Sequence, residues 1–519
     1  MEIAARLPAA PRPLPRGRHS FQAKAAAAIL LVAAADWLFF PDGGGSTFGA
    51  WAMAALAAVL ALLPESRRGP ARIAAAAAFL FALALAWDPS ILALALFWTS
   101  LTLTVLLPRA AADDAWRWAL RLGWQALRTV LAPVTDGQHI REAHRRRGGS
   151  RMAAALPVLI LPLLGSALFL SLFAMANPII AEALGRIDLS LLVAGLSVAR
   201  IAFWTAVALA LWPLFRPRVL RFDPAAPGAA AEAALPGVSA GSVTLSLLAF
   251  NALFAIENGL DLTFLWSGAR LPAGMTLAAY AHRGAYPLIA TALLAGLFVL
   301  VTLRPGSALA ASPAIRRLVT LWITQNVLLV ASTALRTLDY VEAYSLTRLR
   351  IAALIWMALV AVGLVLICWR IARQRSGAWL INANCAAAAI ALAGCAFVDL
   401  GGIAAAWNVR HAREAGGPGQ PLDFCYLVDL GPSALLPLLE MEQRPLAQRA
   451  RERVAWTRNL ILDRMEPRQT DWRAWTAHDA WRLSSAHSAI AAARLPRAAA
   501  ARRTCSEPTP PALTPAPQR

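Results

Sequence analysis

Long apolar runs alternate with short polar segments along most of the 519-residue chain. A helix needs about 20 apolar residues to cross ~30 Å of hydrocarbon, and the runs have that length. A β-barrel is excluded, because its strands alternate polar and apolar residues. We therefore predict an all-α, polytopic transmembrane helix bundle of about 11 spans. The predicted spans are residues 23–40, 47–64, 71–87, 90–108, 152–175, 189–214, 243–267, 285–303, 315–335, 350–369 and 378–399.

The pattern changes between the fourth and fifth spans, where DDAWRWALRLGWQALRTVLAPV carries aromatic residues on one side and arginines at helical spacing. That arrangement is typical of an amphipathic helix lying on a membrane surface. The stretch REAHRRRGGSR follows it. We predict that segment 109–151 binds anionic lipid or a cytoplasmic protein. The alternative is an ordinary topology anchor.

After the last span, a Gly/Pro linker leads to a small helical C-terminal extramembrane region. Within it, 471-DWRAWTAHDAW-481 supplies three tryptophans, which fit an interfacial helix. The Ala/Arg/Pro-rich end is predicted to be disordered. The predicted organisation is a basic leader (1–22), four spans (23–108), the amphipathic/basic segment (109–151), seven spans (152–408), the helical C-terminal region (409–494) and a disordered tail (495–519).

Composition and charge agree with a membrane protein and predict its orientation. Only 15% of the residues are charged, against about 25% in soluble proteins. One set of alternate loops carries 26 basic residues and the opposite set carries 6. Because basic residues stay on the cytoplasmic side, we predict a bacterial inner-membrane protein with a cytoplasmic N-terminus and a periplasmic C-terminal region. The net charge of +20 thus reflects orientation, and no nucleic-acid partner is predicted.

Polar residues gather in the outer half of the seventh span, 250-FNALFAIENGLDLTFLW-266. On a helix Asn251, Glu257, Asn258 and Asp261 share one face of about 120°. Acidic groups within a span usually face the protein interior or a water-filled cavity. The alternative is a stripe of hydrogen bonds that packs one helix on another.

The stretch 336-RTLDYVEAYSLTRLR-350 is predicted to form the outer loop between the ninth and tenth spans, together with their ends. The preceding outer loop ends in 280-YAHRGAYPL-288, where Arg283 is a natural partner for Glu257 or Asp261. These groups could surround one outward-opening polar cavity; the simpler reading is a solvated charged hairpin. The candidate cluster comprises Asn251, Glu257, Asn258, Asp261, His282, Arg283, Arg336, Asp339, Tyr340, Glu342, Tyr344, Arg348, Arg350 and Asp399.

Arg200 lies near the middle of the predicted sixth span, where a charge costs about 2.5–3.5 kcal/mol on insertion scales. We expect it to pair with an acid or a carbonyl deep in the bundle. The five cysteines form no CxxC or Cys/His spacing. No metal site and no cofactor are therefore predicted.

Four stretches, ENGLDLTFLW, YAHRGAYPLI, DYVEAYSLTRLRIAALIW and the pair NVRHA and LDFCYLVDLGPSALLPLLE, carry a family resemblance. Together they resemble a bacterial multispanning inner-membrane family known as domain of unknown function 4173, to which family 4153 is related. The resemblance covers roughly residues 70–445. It implies a helical integral membrane protein and supplies no catalytic residues.

Three functions stay open from the sequence. The first is transport of a small solute through the outward-facing polar cavity, although no internal repeat supports alternating access. The second is a non-enzymatic membrane sensor or assembly partner for envelope signalling. The third is a membrane enzyme on a lipid-linked substrate, using Asp339, Glu342 or His282. No hydrolase, zinc or nucleotide motif supports this third reading, so we lean against an enzyme.

Overall fold

A computed structural model describes residues 21–40, 43–110, 113–129, 197–217, 239–266, 311–496 and 505, with isolated positions between 162 and 182 and between 291 and 298. The part described is helical and contains no strand. The chain divides into two compact units, Met1–Asp113 with Arg117–Asp223, and Asp114–Trp116 with Pro224–Arg519.

The helices are named here in chain order. They are α1 (Phe21–Phe39), α2 (Thr47–Leu62), α3 (Ala71–Trp87), α4 (Ile91–Leu106), α5 (115–129), α6 (Val198–Phe215), α7 (Ala240–Trp266), α8 (Pro313–Tyr344), α9 (Arg348–Arg373), α10 (Gly377–Phe397), α11 (Leu400–His411), α12 (Phe424–Leu430), α13 (Leu435–Glu442), α14 (Gln448–Thr470) and α15 (Ala477–Ala493).

Most of the predicted spans coincide with these helices, and the all-α polytopic bundle is confirmed. Eight helical segments of the described residues are long and apolar enough to cross a membrane, and α2 and α3 are shorter apolar helices. Nine predicted spans match α1–α4 and α6–α10. The predicted spans 152–175 and 285–303 lie largely outside the described residues.

In the first unit, α1 packs antiparallel to α6. Phe21, at the start of α1, contacts the ring of Trp212 near the end of α6. At the other end, Asp36 of α1 contacts Arg200 in the first turn of α6. The indole of Trp51 in α2 donates to the carbonyl of Leu31, which joins α2 to the same pair.

In the second unit, α7 and α8 pack in parallel. The side-chain amide of Asn251 donates to the carbonyl of Leu318, and that of Asn258 donates to the carbonyl of Gln325. From the first contact to the second, the position moves forward by seven residues along α7 and also by seven along α8. Only parallel helices give this pattern.

The predicted outer loop 336–350 is largely helical, which corrects its extent. Helix α8 continues to Tyr344 and has 32 residues, a length of about 48 Å, so it exceeds the ~30 Å hydrocarbon layer. The loop is only the turn 345–347, which Ser345 opens with a φ of 71°. Charged residues can continue a helix past the membrane because they have good helix propensity.

The C-terminal region, α11–α15, has a core of its own. Leu435, Leu438 and Leu439 of α13 are buried among apolar side chains of α11, α12, α14 and α15. The segment Phe424–Glu442 is apolar enough to span a membrane. It is instead broken into α12, a 3-10 turn at Gly431–Ala434 and α13, and its apolar side chains fill this core. We call α11–α15 the C-terminal domain.

Candidate functional site

The candidate site is the junction where the turn between α8 and α9 meets the C-terminal domain. We call it the span–domain junction, and its residues are Leu346, Arg348, Asp399, Asn408, Tyr426, Ser433 and Arg482. Helix α8 ends and α9 begins at the turn that forms part of this junction. Helix α10 ends beside it, because α11 follows α10 after only Val398 and Asp399. The contacts below fix the C-terminal domain on the ends of these spans.

Asn408 of α11 holds the turn. The N–H of Leu346 donates to Asn408 Oδ1 at 2.6 Å, and Asn408 Nδ2 donates to the carbonyl of Leu346 at 2.9 Å. Asn408 is 5% exposed, and Leu346 is buried in the core of the C-terminal domain. The side chain therefore pairs with a backbone unit that no helix satisfies.

Arg348, the first residue of α9, joins the same surfaces. Its backbone N–H donates to the hydroxyl oxygen of Tyr426 at 2.9 Å, and its Nη2 donates to the carbonyl of Leu430 at 3.4 Å. A Cβ at Gly401 would stand 2.5 Å from that Nη2. Glycine at position 401 is thus what lets the guanidinium lie against α11.

Asp399 links the end of α10 to α15. Its Oδ1 accepts from the N–H of Gly402 and from the hydroxyl of Ser433, and its Oδ2 accepts from Arg482 Nη2 at 2.5 Å. Arg482 is itself buried and also contacts Asp479. Burial raises the pKa of Asp399, but the Gly402 N–H, Arg482 and Ser433 outweigh it, so the pKa lies below the ordinary 3.8. Asp399 is ionised at neutral pH.

Arg350 contacts the end of α8 next to the turn, at Tyr340 and Tyr344. The guanidinium of Arg350 lies 4.2 Å from the ring centroid of Tyr340, a cation–π contact. Its Nη1 donates to the carbonyls of Tyr344 and Ser345. Arg350 therefore closes the end of α8, whose last carbonyls lack helical partners.

A polar seam lies between α7 and α8. Gln325 Nε2 donates to Asn251 Oδ1 at 2.8 Å. Asp261 accepts from the hydroxyl of Ser332 at 2.6 Å and forms an ion pair with Arg336. Both side chains of this pair are under 10% exposed. We call these residues, with Asn258, the α7–α8 seam.

The seam gives Asp261 a described partner. Arg336 holds its carboxylate, because Arg336 lies one helical turn beyond Ser332 on the same face of α8. His282 and Arg283 lie outside the described residues. Glu257 is exposed.

Arg200 has an acid partner, Asp36. Its Nε lies 2.7 Å from Asp36 Oδ1 and its Nη2 lies 2.5 Å from Oδ2, a bidentate pair. Arg200 stands in the first turn of α6, after the N-cap Ser197. The described helix begins two residues before it, at Val198, beside the end of α1. The predicted mid-span depth of Arg200 stays a prediction, because residues 183–196 lie outside the described residues.

Helix α10 makes contacts at both of its ends. At the junction end, Asp399 follows it. At the opposite end, Asn382 Oδ1 accepts from the N–H of Ala115 at 2.7 Å, and Asn382 Nδ2 donates to Asp114 at 3.0 Å. Asp114 and Ala115 begin the predicted amphipathic segment. The helix rises about 23 Å from Asn382 to its last residue, Phe397, so most of the ~30 Å hydrocarbon thickness separates the two sets of contacts.

The C-terminal domain also contains a disulfide. Cys425 of α12 is bonded to Cys505, with their Cα atoms 4.9 Å apart. The sequence spacing did not predict this bond, since 80 positions separate the two cysteines. Cys368, Cys385 and Cys395, all in α9 and α10, are free thiols.

The predicted cluster thus separates into two groups. Asn251, Asn258, Asp261 and Arg336 belong to the seam, whereas Arg348, Arg350 and Asp399 belong to the junction. Asp339 and Glu342 lie on α8 between the seam and the turn. A single polar cavity that unites all of them remains a prediction.

Several residues at these sites were missed from the sequence. Asn408, Tyr426 and Ser433 lie inside the family-like stretches NVRHA and LDFCYLVDLGPS, which was the signal available for them. Arg482 lies outside the stretches, and its contact with Asp399 joins positions 83 residues apart. Asp36 is a single acid in an apolar run and gave no pattern.

A comparison with known families supports the resemblance. The family described as domain of unknown function DUF4153 matches residues 74–441, which is more than half of the chain. It is the family given above as the relative of 4173. The matched range contains the seam and most of the junction, and it ends within α13. No curated protein and no solved structure matches the chain.

Proposed function

We propose that this chain, which belongs to the DUF4153 family, is a non-enzymatic membrane protein that couples a periplasmic domain to a partner on the cytoplasmic face. Its periplasmic part is the C-terminal domain. Its cytoplasmic part is segment 109–151, which would bind a cytoplasmic protein or anionic lipid.

One observation carries the proposal: α10 leads into contacts with the C-terminal domain near one end and with the start of the amphipathic segment near the other. Asp399 joins it to α15 at one end, and Asn382 joins it to Asp114 and Ala115 at the other. A packed helix moves as a rigid element. A shift of the C-terminal domain would therefore displace the start of the amphipathic segment.

Two features support a periplasmic C-terminal domain in the inner membrane. The loops with 26 basic residues lie opposite the junction side in the predicted topology. The disulfide between Cys425 and Cys505 fits an oxidising compartment, because cytosolic proteins rarely keep disulfides.

Helix directions support an odd number of spans. Because α1 and α6 are antiparallel, an even number of crossings separates them, and α2–α4 supply three. Because α7 and α8 are parallel, an odd number separates them. One crossing in each gap completes both pairs, and 152–175 and 285–303 are the predicted candidates. Eleven spans with a cytoplasmic N-terminus bring the C-terminal domain outside.

Hydrogen exchange of the protein in lipid nanodiscs tests the coupling. Asn408→Ala should open the junction and raise exchange of the amides at 114–129 as well. Asn382→Ala alone breaks the link between α10 and the amphipathic segment. Adding Asn408→Ala to that variant should therefore not raise the exchange at 114–129 above its level in Asn382→Ala. Ser488→Ala, on the exposed face of α15, is the matched control. An opened junction with unchanged exchange at 114–129 contradicts the coupling.

Transport of a small solute is a second candidate, favoured by the α7–α8 seam. An ion pair and three amide side chains within spans are costly unless they serve a function or a helix contact. Transport requires water to reach them. Ser332→Cys, with Cys368, Cys385 and Cys395 replaced by alanine, tests this.

Labelling of that cysteine by a small, charged thiol reagent would support a water-filled cavity. Ser488→Cys, on the exposed surface of α15, is the positive control. Labelling at 488 without labelling at 332 would mean that the seam is a dry helix contact, which contradicts transport through it. This result would leave the coupling proposal standing.

A further inference from the structure

We infer that three tryptophans of the C-terminal domain, Trp472, Trp475 and Trp481, insert into the lipid headgroup layer of the leaflet at which α10 ends. We call them the tryptophan patch. Their partner is the bilayer itself, at the boundary between headgroups and acyl chains. The inference does not depend on the proposed function or on which face is periplasmic.

The first argument is where apolar surface is exposed. Within 400–496, all of which the structure describes, the exposed large apolar side chains are Ile403, Trp472, Trp475 and Trp481. The tryptophans are 51%, 40% and 52% exposed. The other large apolar side chains are at least partly covered within the domain. Apart from Ile403, this exposed apolar surface lies in the short segment 472–481, and such a concentration marks an interaction site.

The second argument is the depth of the patch. Asp399 lies two residues after Phe397, the last residue of α10, so it is at most about 7 Å from that helix end. The headgroup layer is roughly 5–8 Å thick on each side of the hydrocarbon. Arg482 Nη2 lies 2.5 Å from Asp399 Oδ2, and Trp481 is the neighbour of Arg482. The ion pair therefore holds the turn of α15 around Trp481 and Arg482 at the level of the headgroups.

The third argument is the residue type. Tryptophan is enriched at membrane interfaces, where its ring is amphipathic. Arg473 lies over the ring of Trp472, at 5.4 Å from its centroid, and His478 stacks on Trp481. Arginine beside tryptophan fits phosphate-bearing headgroups. A docking site for a folded protein would more often be centred on buried apolar pockets.

Spin-label accessibility tests the inference on the full chain in vesicles of phosphatidylethanolamine and phosphatidylglycerol. Cys368, Cys385 and Cys395 are replaced by alanine, and the disulfide stays. The label is attached at Trp481→Cys, which leaves two tryptophans of the patch in place. Ser488→Cys, also exposed and two turns further along α15, is the matched control. Trp475→Cys repeats the measurement if the first variant does not fold.

Two relaxation agents distinguish the outcomes. At 481 we expect collisions with oxygen, which concentrates in lipid, to exceed those with a water-soluble nickel complex, and at 488 the reverse. Equal preference for the nickel complex at both positions would place the patch in water and overturn the inference. A label at 481 that neither agent reaches would show that protein covers the patch, which also overturns it.

Discussion

The contact between Asn408 and Leu346 gives the most specific prediction for the span–domain junction. Asn408→Ala removes an acceptor for the Leu346 N–H and a donor to its carbonyl. Each buried backbone group left unpaired costs about 1–3 kcal/mol. We take about 2–3 kcal/mol for both, since water can enter the space that the shorter side chain leaves.

The measurement is hydrogen exchange at the turn 345–347 in nanodiscs. A loss of about 2–3 kcal/mol raises the population of the opened turn roughly 30- to 150-fold, at 1.4 kcal/mol per tenfold, and the exchange rate of the Leu346 amide should rise accordingly. Asn384→Ala is the matched control, because Asn384 bonds only the carbonyl of Leu380 within its own helix.

The reasoning is refuted if the Leu346 amide exchanges at the same rate in Asn408→Ala and in the unaltered chain. An equal increase in both variants would also refute it, because the loss would then reflect bundle stability in general.

Three further predictions concern the C-terminal domain. Reducing the disulfide, or replacing both Cys425 and Cys505 by serine, reopens an 80-residue loop and should destabilise the domain by up to about 4.5 kcal/mol. Pulse proteolysis with and without reductant measures this loss. Equal resistance of the reduced and oxidised protein to the protease contradicts the prediction. Glu442→Gln should lower the unfolding free energy of the domain by about 3–5 kcal/mol, because Arg458, 2.6 Å away and 1% exposed, becomes an uncompensated buried charge. Thermal unfolding measures this loss, and Glu440→Gln, at a more exposed carboxylate, is the control. Because the pKa of Asp399 is lowered, its carboxylate stabilises the junction above about pH 4, and that contribution is lost as the pH falls through the lowered pKa. Urea titrations should show that the difference in unfolding free energy between the unaltered chain and Asp399→Asn is constant between about pH 5 and 8. A difference that grows as the pH falls from 8 to 5 contradicts the lowered pKa.

The spans could be predicted because the membrane imposes a length and a composition on every crossing. Helices α8 and α9 enclose the predicted spans 315–335 and 350–369, and α10 covers the predicted span 378–399 except for its last two residues. The extension of α8 to Tyr344 was missed, because a charged stretch predicts the end of the hydrocarbon layer and not the end of a helix.

The polar contacts could be predicted only in part. The shared face of Asn251, Asn258 and Asp261 follows from helical geometry, and all three do face α8. Their partners do not follow from it, since Arg336 is 75 positions from Asp261. A single sequence contains no information on which distant residues meet.

The family-like stretches gained a physical meaning from the structure. DYVEAYSLTRLR contains the turn, NVRHA contributes Asn408, and LDFCYLVDLGPS contributes Tyr426 and Ser433. They lie up to 94 positions apart and meet at one junction. Among the charged residues of 336–350, Arg348 contacts the C-terminal domain, Arg336 pairs with Asp261 and Arg350 closes the end of α8.

Thiol labelling of intact cells tests the central claim, a C-terminal domain on the periplasmic side of a coupled bundle. Cys368, Cys385 and Cys395 are replaced by alanine, and a single cysteine is introduced at Ser488, on α15, or at Arg375, in the turn between α9 and α10. A membrane-impermeant maleimide should label Ser488→Cys in intact cells, label Arg375→Cys only after the membrane is opened, and label Cys425 only after reduction. Labelling of Arg375→Cys in intact cells, with Ser488→Cys protected, would contradict the account.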